Sequence, residues 1–342
     1  MPLILHLTLA VAMAVGQPQD LPDRRPIGKI EFFGYKGLDV ERVRASLPLH
    51  EGDLFPPESL RPSDDPSQTI LERIQQTIGR GATGVNFTCC DERQRWIIYI
   101  GLPGGSSREV AFHPAPRGDA RFPLDFLMSG DEFSQAWEHA VLSGNAAEER
   151  SQGFAISADP VLRAAQMELH GYALRHEAEI LTVLETSAAA EHRALAAQAL
   201  GYAQPSHRQV AALARACFDA DGAVRNNAAR ALGVLAGVNP ALLRRIPPAT
   251  FVPLVTSTEW TDRNKGIVLI EAMTRSRDPR VLAAVRDAAL DSLIEMAKWR
   301  TAGHAYQARV VLGRLGGIDE KRLQELAQQG SIDEIISAAS AH

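Results

Sequence analysis

One short pattern recurs five times in the second half of this chain, and it constrains the fold more than any other feature. The segments are LRAAQMELHGYA from Leu162, HRALAAQALGYA from His192, VRNNAARALGVL from Val224, DRNKGIVLIEAM from Asp262 and HAYQARVVLGRL from His304. A glycine column falls at Gly171, Gly201, Gly233 and Gly313, with Glu271 in the fourth segment, at spacings of 30, 32, 38 and 42 residues. Eight residues earlier stands an arginine, at Arg163, Arg193, Arg225 and Arg263, replaced by Ala305 in the fifth segment. Small or apolar residues recur three, six and seven places after the arginine, as at Ala228, Ala231 and Leu232, which is one face of a helix. Further helical stretches lie between the segments at 178–184, 210–218, 251–255, 281–293 and 323–327, and Pro160, Pro205, Pro240 and Pro279 mark turns and helix starts. Such a period predicts two-helix units that bury their apolar faces only by stacking on one another. A chain of 342 residues built this way needs no single large core.

The third unit carries a resemblance. Its sequence LARACFDADGAVRNNAARALGVL has a helix, an acidic turn and then V-R-x-x-A-x-x-A-L-G, and so resembles the HEAT-repeat family. The resemblance covers residues 159–330 and implies a right-handed α-solenoid of about five HEAT-like helical hairpins. The first, fourth and fifth units are degenerate: His170 stands where leucine belongs, and Pro247, Pro248 and Pro253 interrupt the helix after the third. In that family the second helix of each unit faces the concave side. The resemblance therefore implies an exposed concave stripe at positions one, two and five after the arginine column. The residues there are Gln198, Asn226, Asn227, Arg230, Asn264, Lys265 and Gln307, a polar, mildly basic set suited to an acidic or peptide partner.

The first half reads differently. Residues 28–34 alternate as a half-buried strand, Asp39 is a candidate cap for a short helix ended by Pro48, and Gly52 sits in a turn before Phe55. Pro66 opens a helix whose apolar face is Ile70, Leu71, Ile74 and Ile78, and strands at 84–89 and 95–101 flank the polar turn Asp91-Glu92-Arg93. The order is β-α-α-β-β. The stretches KIEFFGYKGLD, VERVRASLPLHEGDLF and SQTILERIQQTIGRGATGVNF resemble a single POTRA domain over residues 26–103. That resemblance implies a module that can bind partners by adding a strand to a sheet edge. Barrel assembly is not implied, because there is one copy and no β-barrel pattern after it. Residues 104–123 are too rich in glycine and proline for regular structure and read as a linker. Residues 124–158 contain an amphipathic helical segment expected to cap the first repeat, and 331–342 read as a tail.

Residues 1–19 contain no charged side chain, and about thirteen apolar positions within them have the length of a signal h-region rather than of a membrane span. Residues 1–16 are therefore expected to be a signal peptide, which places the mature protein in the periplasm or cell envelope. The net charge of −5 lacks the basic footprint of a nucleic-acid binder. The three cysteines, Cys89, Cys90 and Cys217, show no zinc or CxxC redox spacing and receive no chemistry. His170 and His176 are six residues apart, which is not ligand spacing on one helical face. His176-Glu177 is the one His-Glu pair of the kind some HEAT-like enzymes use for iron, and one pair cannot build a dinuclear site. No nucleophile elbow, phosphate loop, dinucleotide fingerprint or HExxH motif is present. The expectation is a non-catalytic protein-binding or scaffold component with no cofactor and no metal. The alternatives are an envelope enzyme or lyase-like protein, with a site at the domain junction or on the concave face, and a purely structural envelope component.

Overall fold

The computed structural model describes residues 24–55, 66–329 and 331–341; the expected signal peptide and the proline-rich stretch 56–65 lie outside the described residues. The chain is mostly helical with one small four-stranded sheet. In order, the elements are β1 (Arg25–Phe33), α1 (Val40–Ser46), β2 (Leu54–Phe55), α2 (Pro66–Ile78), β3 (Gly84–Thr88), β4 (Trp96–Gly101), α3 (Leu124–Leu142), β5 (Glu148–Glu149), β6 (Ile156–Ser157), α4 (Pro160–Thr186), α5 (Ala190–Leu200), α6 (His207–Ala216) and α7 (Gly222–Val238). After a 3-10 turn at Pro240–Arg245 come α8 (Val252–Val255), α9 (Trp260–Thr274), α10 (Pro279–Ala297), α11 (Ala302–Leu315), α12 (Glu320–Gln329) and α13 (Ile332–Ser340). Among the described residues, no helix is long and apolar enough to cross a membrane. Two compact units share the chain. Of the described residues, one unit comprises 110–255 and 261–288, and the other holds those from 24 to 109 together with 256–260 and those from 289 onward.

In the second unit the sheet order is β2-β1-β4-β3, with β1 and β4 parallel and β3 and β4 an antiparallel hairpin. The Asp39 side chain caps α1 by accepting the Arg42 N–H at 3.0 Å. Ile70 and Ile74 of α2 and Val43 of α1 pack on Ile30, Phe32, Ile98 and Ile100 of the sheet. Asp91 closes the hairpin, its carboxylate accepting from the Arg93 and Arg95 N–H groups and from Arg95 Nε, each at 2.9 Å. Beside that turn Cys89 and Cys90 are joined as a disulfide. The other face of the module meets residues of the chain's last third. Glu295 accepts the backbone N–H groups of Gly34 and Tyr35, at 2.7 and 3.0 Å, and the Ser106 hydroxyl at 2.5 Å. Trp260 stacks on the Tyr99 ring at 4.5 Å, and the Tyr99 hydroxyl bonds His304 Nδ1. Residues 332–340, in the stretch expected to be a tail, form α13, whose Ile335 and Ala339 are buried.

The open side of β1 is occupied as well. Trp299 Nε1 donates to Phe32 O at 2.9 Å, Arg300 Nη2 donates to Ile30 O at 3.0 Å, and the Ile30 N–H donates to Glu51. An incoming strand would need those groups, so among the described residues the outer sheet edge left without a pairing strand is β3 rather than β1.

In the first unit the recurring segments are the helices α4, α5, α7 and α9, and the arginine column explains how they are spaced. Arg163 Nη1 donates to Ser157 O, Arg193 Nη1 to Ser187 O and Ala188 O, and Arg225 Nη1 to Asp219 O and Ala220 O. Each arginine thus closes the turn before its own helix at the same offset. Two of them also reach a carboxylate beyond that helix: Arg193 binds Asp219 through Nε and Nη2 at 2.9 and 2.8 Å, and Arg225 Nε binds Asp262 at 2.8 Å. The glycine column marks close approach. A Cβ at Gly201 would lie 3.0 Å from that of Ala231, and one at Gly233 would lie 3.0 Å from Val268 Cγ1. α4 carries the first repeat segment and the following helical stretch in one run, kinked at His176.

The stretch expected to be a linker forms no regular element but is not detached. His113 N–H donates to Phe218 O at 2.7 Å, Gly118 exchanges bonds with Thr186 O and the Ala188 N–H, and Phe122 N–H donates to His192 Nδ1. The Arg225 guanidinium lies 3.8 Å over the Phe112 ring. Residues 112–122 are therefore a strap across the same inter-helix turns that the arginines close.

Candidate binding site

A polar cluster lies inside the first unit, assembled from six parts of the chain. Trp137 comes from α3, Glu148 from β5, Gln166 from α4, Tyr202 from the turn after α5, Arg230 from α7 and Lys265 from α9. Glu148 Oε1 accepts from Gln166 Nε2 and Arg230 Nη2, both at 2.6 Å, and its Oε2 accepts from the same Nη2 at 2.7 Å. Gln166 Oε1 accepts the Ser157 N–H at 2.6 Å, which ties the cluster to β6. The Arg230 guanidinium stacks over the Trp137 ring at 4.6 Å. Phe154, itself stacked on His170 at 4.2 Å, and Phe133 lie against Tyr202.

The electrostatics are uneven. Burial and the neighbouring Arg230 charge push the Lys265 ammonium down to about 7, against the pull of Glu148. Burial also lowers Arg150, which is beside Arg230 and attracted by Glu148. Burial lifts the Tyr202 hydroxyl to about 12. Three cationic side chains thus share the field of one carboxylate in a largely dry setting, where charges interact strongly.

The seven residues expected on an exposed concave stripe are placed differently. Arg230, Asn264, Lys265 and Gln307 are buried, at 8, 6, 3 and 8 % exposure, and Gln198, Asn226 and Asn227 are half-buried. The reason is that these positions face other parts of the chain rather than water. Asn227 Nδ2 donates to Ala194 O on α5, Asn226 Nδ2 donates to Asn227, and Arg230 is covered by Trp137 and Glu148. Arg230 and Lys265 come together, whereas Gln307 belongs to the other unit. Sequence reasoning missed Glu148, Trp137 and Tyr202. Gln166 did leave a signal, because it stands three residues after Arg163, where the other units carry Ala196, Ala228 and Gly266.

The histidines have ordinary partners: His170 Nδ1 bonds Tyr202 O at 2.7 Å, and His176 stacks on Tyr172 and pairs with Glu179. Cys217 is fully buried, and burial pushes its thiol up.

No protein-family model matches the chain, and no curated protein matches it. Among solved structures it is similar to a computationally designed armadillo repeat protein made for modular peptide recognition. The identity is 15% and the TM-score 0.37, over 53% of this chain and 91% of that one.

Proposed function

We propose that this chain is an exported, non-catalytic helical-repeat protein of the HEAT type that binds a protein or peptide partner in the periplasm or cell envelope. The POTRA-like module serves as a second element. The observation that carries this reading is the Glu148–Arg230–Lys265 cluster, in which separate repeat helices deliver cations to a carboxylate held on a short hairpin. The outer edge of β3, which no other strand pairs among the described residues, offers the module a main-chain contact of its own. Two such contacts on one chain would raise avidity through effective concentration. The test is crosslinking mass spectrometry on the mature protein in its own envelope. Reproducible crosslinks from one partner to residues flanking the cluster support the reading. An absence of any reproducible partner, with the protein abundant and folded, overturns it.

A further inference from the structure

The Glu148 cluster holds more hydrogen-bond donors than it has acceptors. Arg230 offers the carboxylate a single nitrogen, Nη2. Its Nε, the Trp137 indole N–H and the Tyr202 hydroxyl are buried with no hydrogen-bond acceptor among the described residues. Lys265, a residue only 3 % exposed, lies in the electrostatic field of Arg230 and Glu148. Buried donors are nearly always satisfied in folded proteins, and a buried cation without a hydrogen-bonded anion is rarer still. Three such donors around one carboxylate, with the Lys265 ammonium in the same field, point to a further anion.

The geometry points to a receptor site for an acidic peptide segment, in which Glu148 occupies the place of the partner's first carboxylate while the chain is free. This deepens the protein-binding reading above and rests on it. A carboxylate is the chemistry already seated there, with both oxygens on the Arg230 guanidinium. The element that carries Glu148 is built to let go. β5 is two residues long and, among the described residues, pairs only with β6, at Glu148 with Ser157 and Glu149 with Ile156. β6 stays behind in an exchange, because Phe154, Ile156 and Ser157 are buried and Gln166 holds the Ser157 N–H. Gly144 and Gly153, at φ of +77° and +91°, flank the part that would move.

Glu148 is tethered beside its site, so a lone competing carboxylate faces a large disadvantage in effective concentration. A competitor must offer what Glu148 does not, and the Lys265 ammonium beside Arg230 identifies it as a second carboxylate. The ligand class is therefore a peptide with neighbouring Asp or Glu side chains, not a single small carboxylate.

The test uses the full mature chain and a fluorescein-labelled oligoglutamate peptide, followed by anisotropy and by hydrogen exchange. Glu148→Gln should tighten peptide binding about tenfold or more, and Lys265→Met should weaken it by a similar factor. Saturating peptide should also strip protection from the Glu148 and Glu149 amides of the unmodified chain while sparing Ser157. Acetate at equal carboxylate concentration should not compete. The inference is overturned if Glu148→Gln binds no more tightly, if Lys265→Met binds equally well, or if acetate competes mole for mole. Should the Glu148 variant fail to fold, exchange on the unmodified chain decides alone, and unchanged protection at Glu148 and Glu149 with peptide bound sinks the proposal. Capture of an envelope partner that ignores both substitutions defeats this inference and leaves the broader reading intact.

Discussion

Arg193 and Asp219 meet in a two-pronged ion pair, with Nε and Nη2 each on one carboxylate oxygen and both side chains buried. The pair joins the start of α5 to the turn after α6, while the third guanidinium nitrogen holds two carbonyls of the preceding turn. A planar fork with five donors can do this and an ammonium cannot.

Arg193→Met should therefore leave Asp219 charged, buried and without its partner, at a cost of about 3–5 kcal/mol. Arg193→Lys should recover little of it. Urea unfolding followed by circular dichroism measures both. A lysine variant as stable as the parent would show that the fork geometry is unimportant.

Lys265 makes stability depend on pH in a defined direction. Its ammonium is held at about 7 in the folded chain against an ordinary 10.5, so between about pH 7 and pH 10 the unfolded chain binds the extra proton. The residue's contribution thus rises with pH across that window, falls as pH drops toward 7, and changes no further below it. Lys265→Met should flatten that slope. Urea midpoints at a series of pH values from neutral to mildly alkaline provide the comparison, and an unchanged slope in the variant counts against the assignment.

Glu295 neutralises three donors at once: two backbone N–H groups and the Ser106 hydroxyl. Glu295→Ala should cost about 3 kcal/mol, since each orphaned donor is expensive to leave buried. Glu295→Gln should fall between the variant and the parent, because its carbonyl can still accept. Trp299 fluorescence during denaturation reports on this side of the molecule.

Gly104 and Gly105 adjoin in sequence but differ in space. A Cβ at Gly104 would sit 2.5 Å from Gly34 O and 2.7 Å from Lys36 O, whereas one at Gly105 meets nothing closer than 3.6 Å. Gly104→Ala should cost about 1–3 kcal/mol through backbone displacement, with Gly105→Ala nearly neutral. Equal melting temperatures for the two variants would contradict this.

What could be read in advance followed the range of the interaction. The recurring helices, the Asp39 cap, the Pro66 helix start and the hairpin around Asp91 are local, and each follows from spacing within a few residues. The arginine column was visible as a column, but its role was not, because Asp219 and Asp262 lie 26 and 37 residues from the arginines they bind. Burial of the expected stripe escaped for a related reason. Polarity at Arg230 and Lys265 suggested water, and only the fold brings Glu148, 82 residues from Arg230, onto them. The strap at 112–122 shows the same limit, since composition excluded helix and strand there but could not tell a spacer from a segment held at each turn.

Trp299 and Arg300 complete the side of a strand that lies more than 260 positions earlier in the chain. During synthesis β1 leaves the ribosome long before the residues that shield it. The Ile30 carbonyl already has the Arg44 guanidinium of α1 as a donor, at 2.9 Å, but the Phe32 carbonyl lacks its donor until Trp299 has emerged. A chain truncated before residue 299 would leave that stretch of the β1 edge without its Trp299 donor, a template for pairing with another strand.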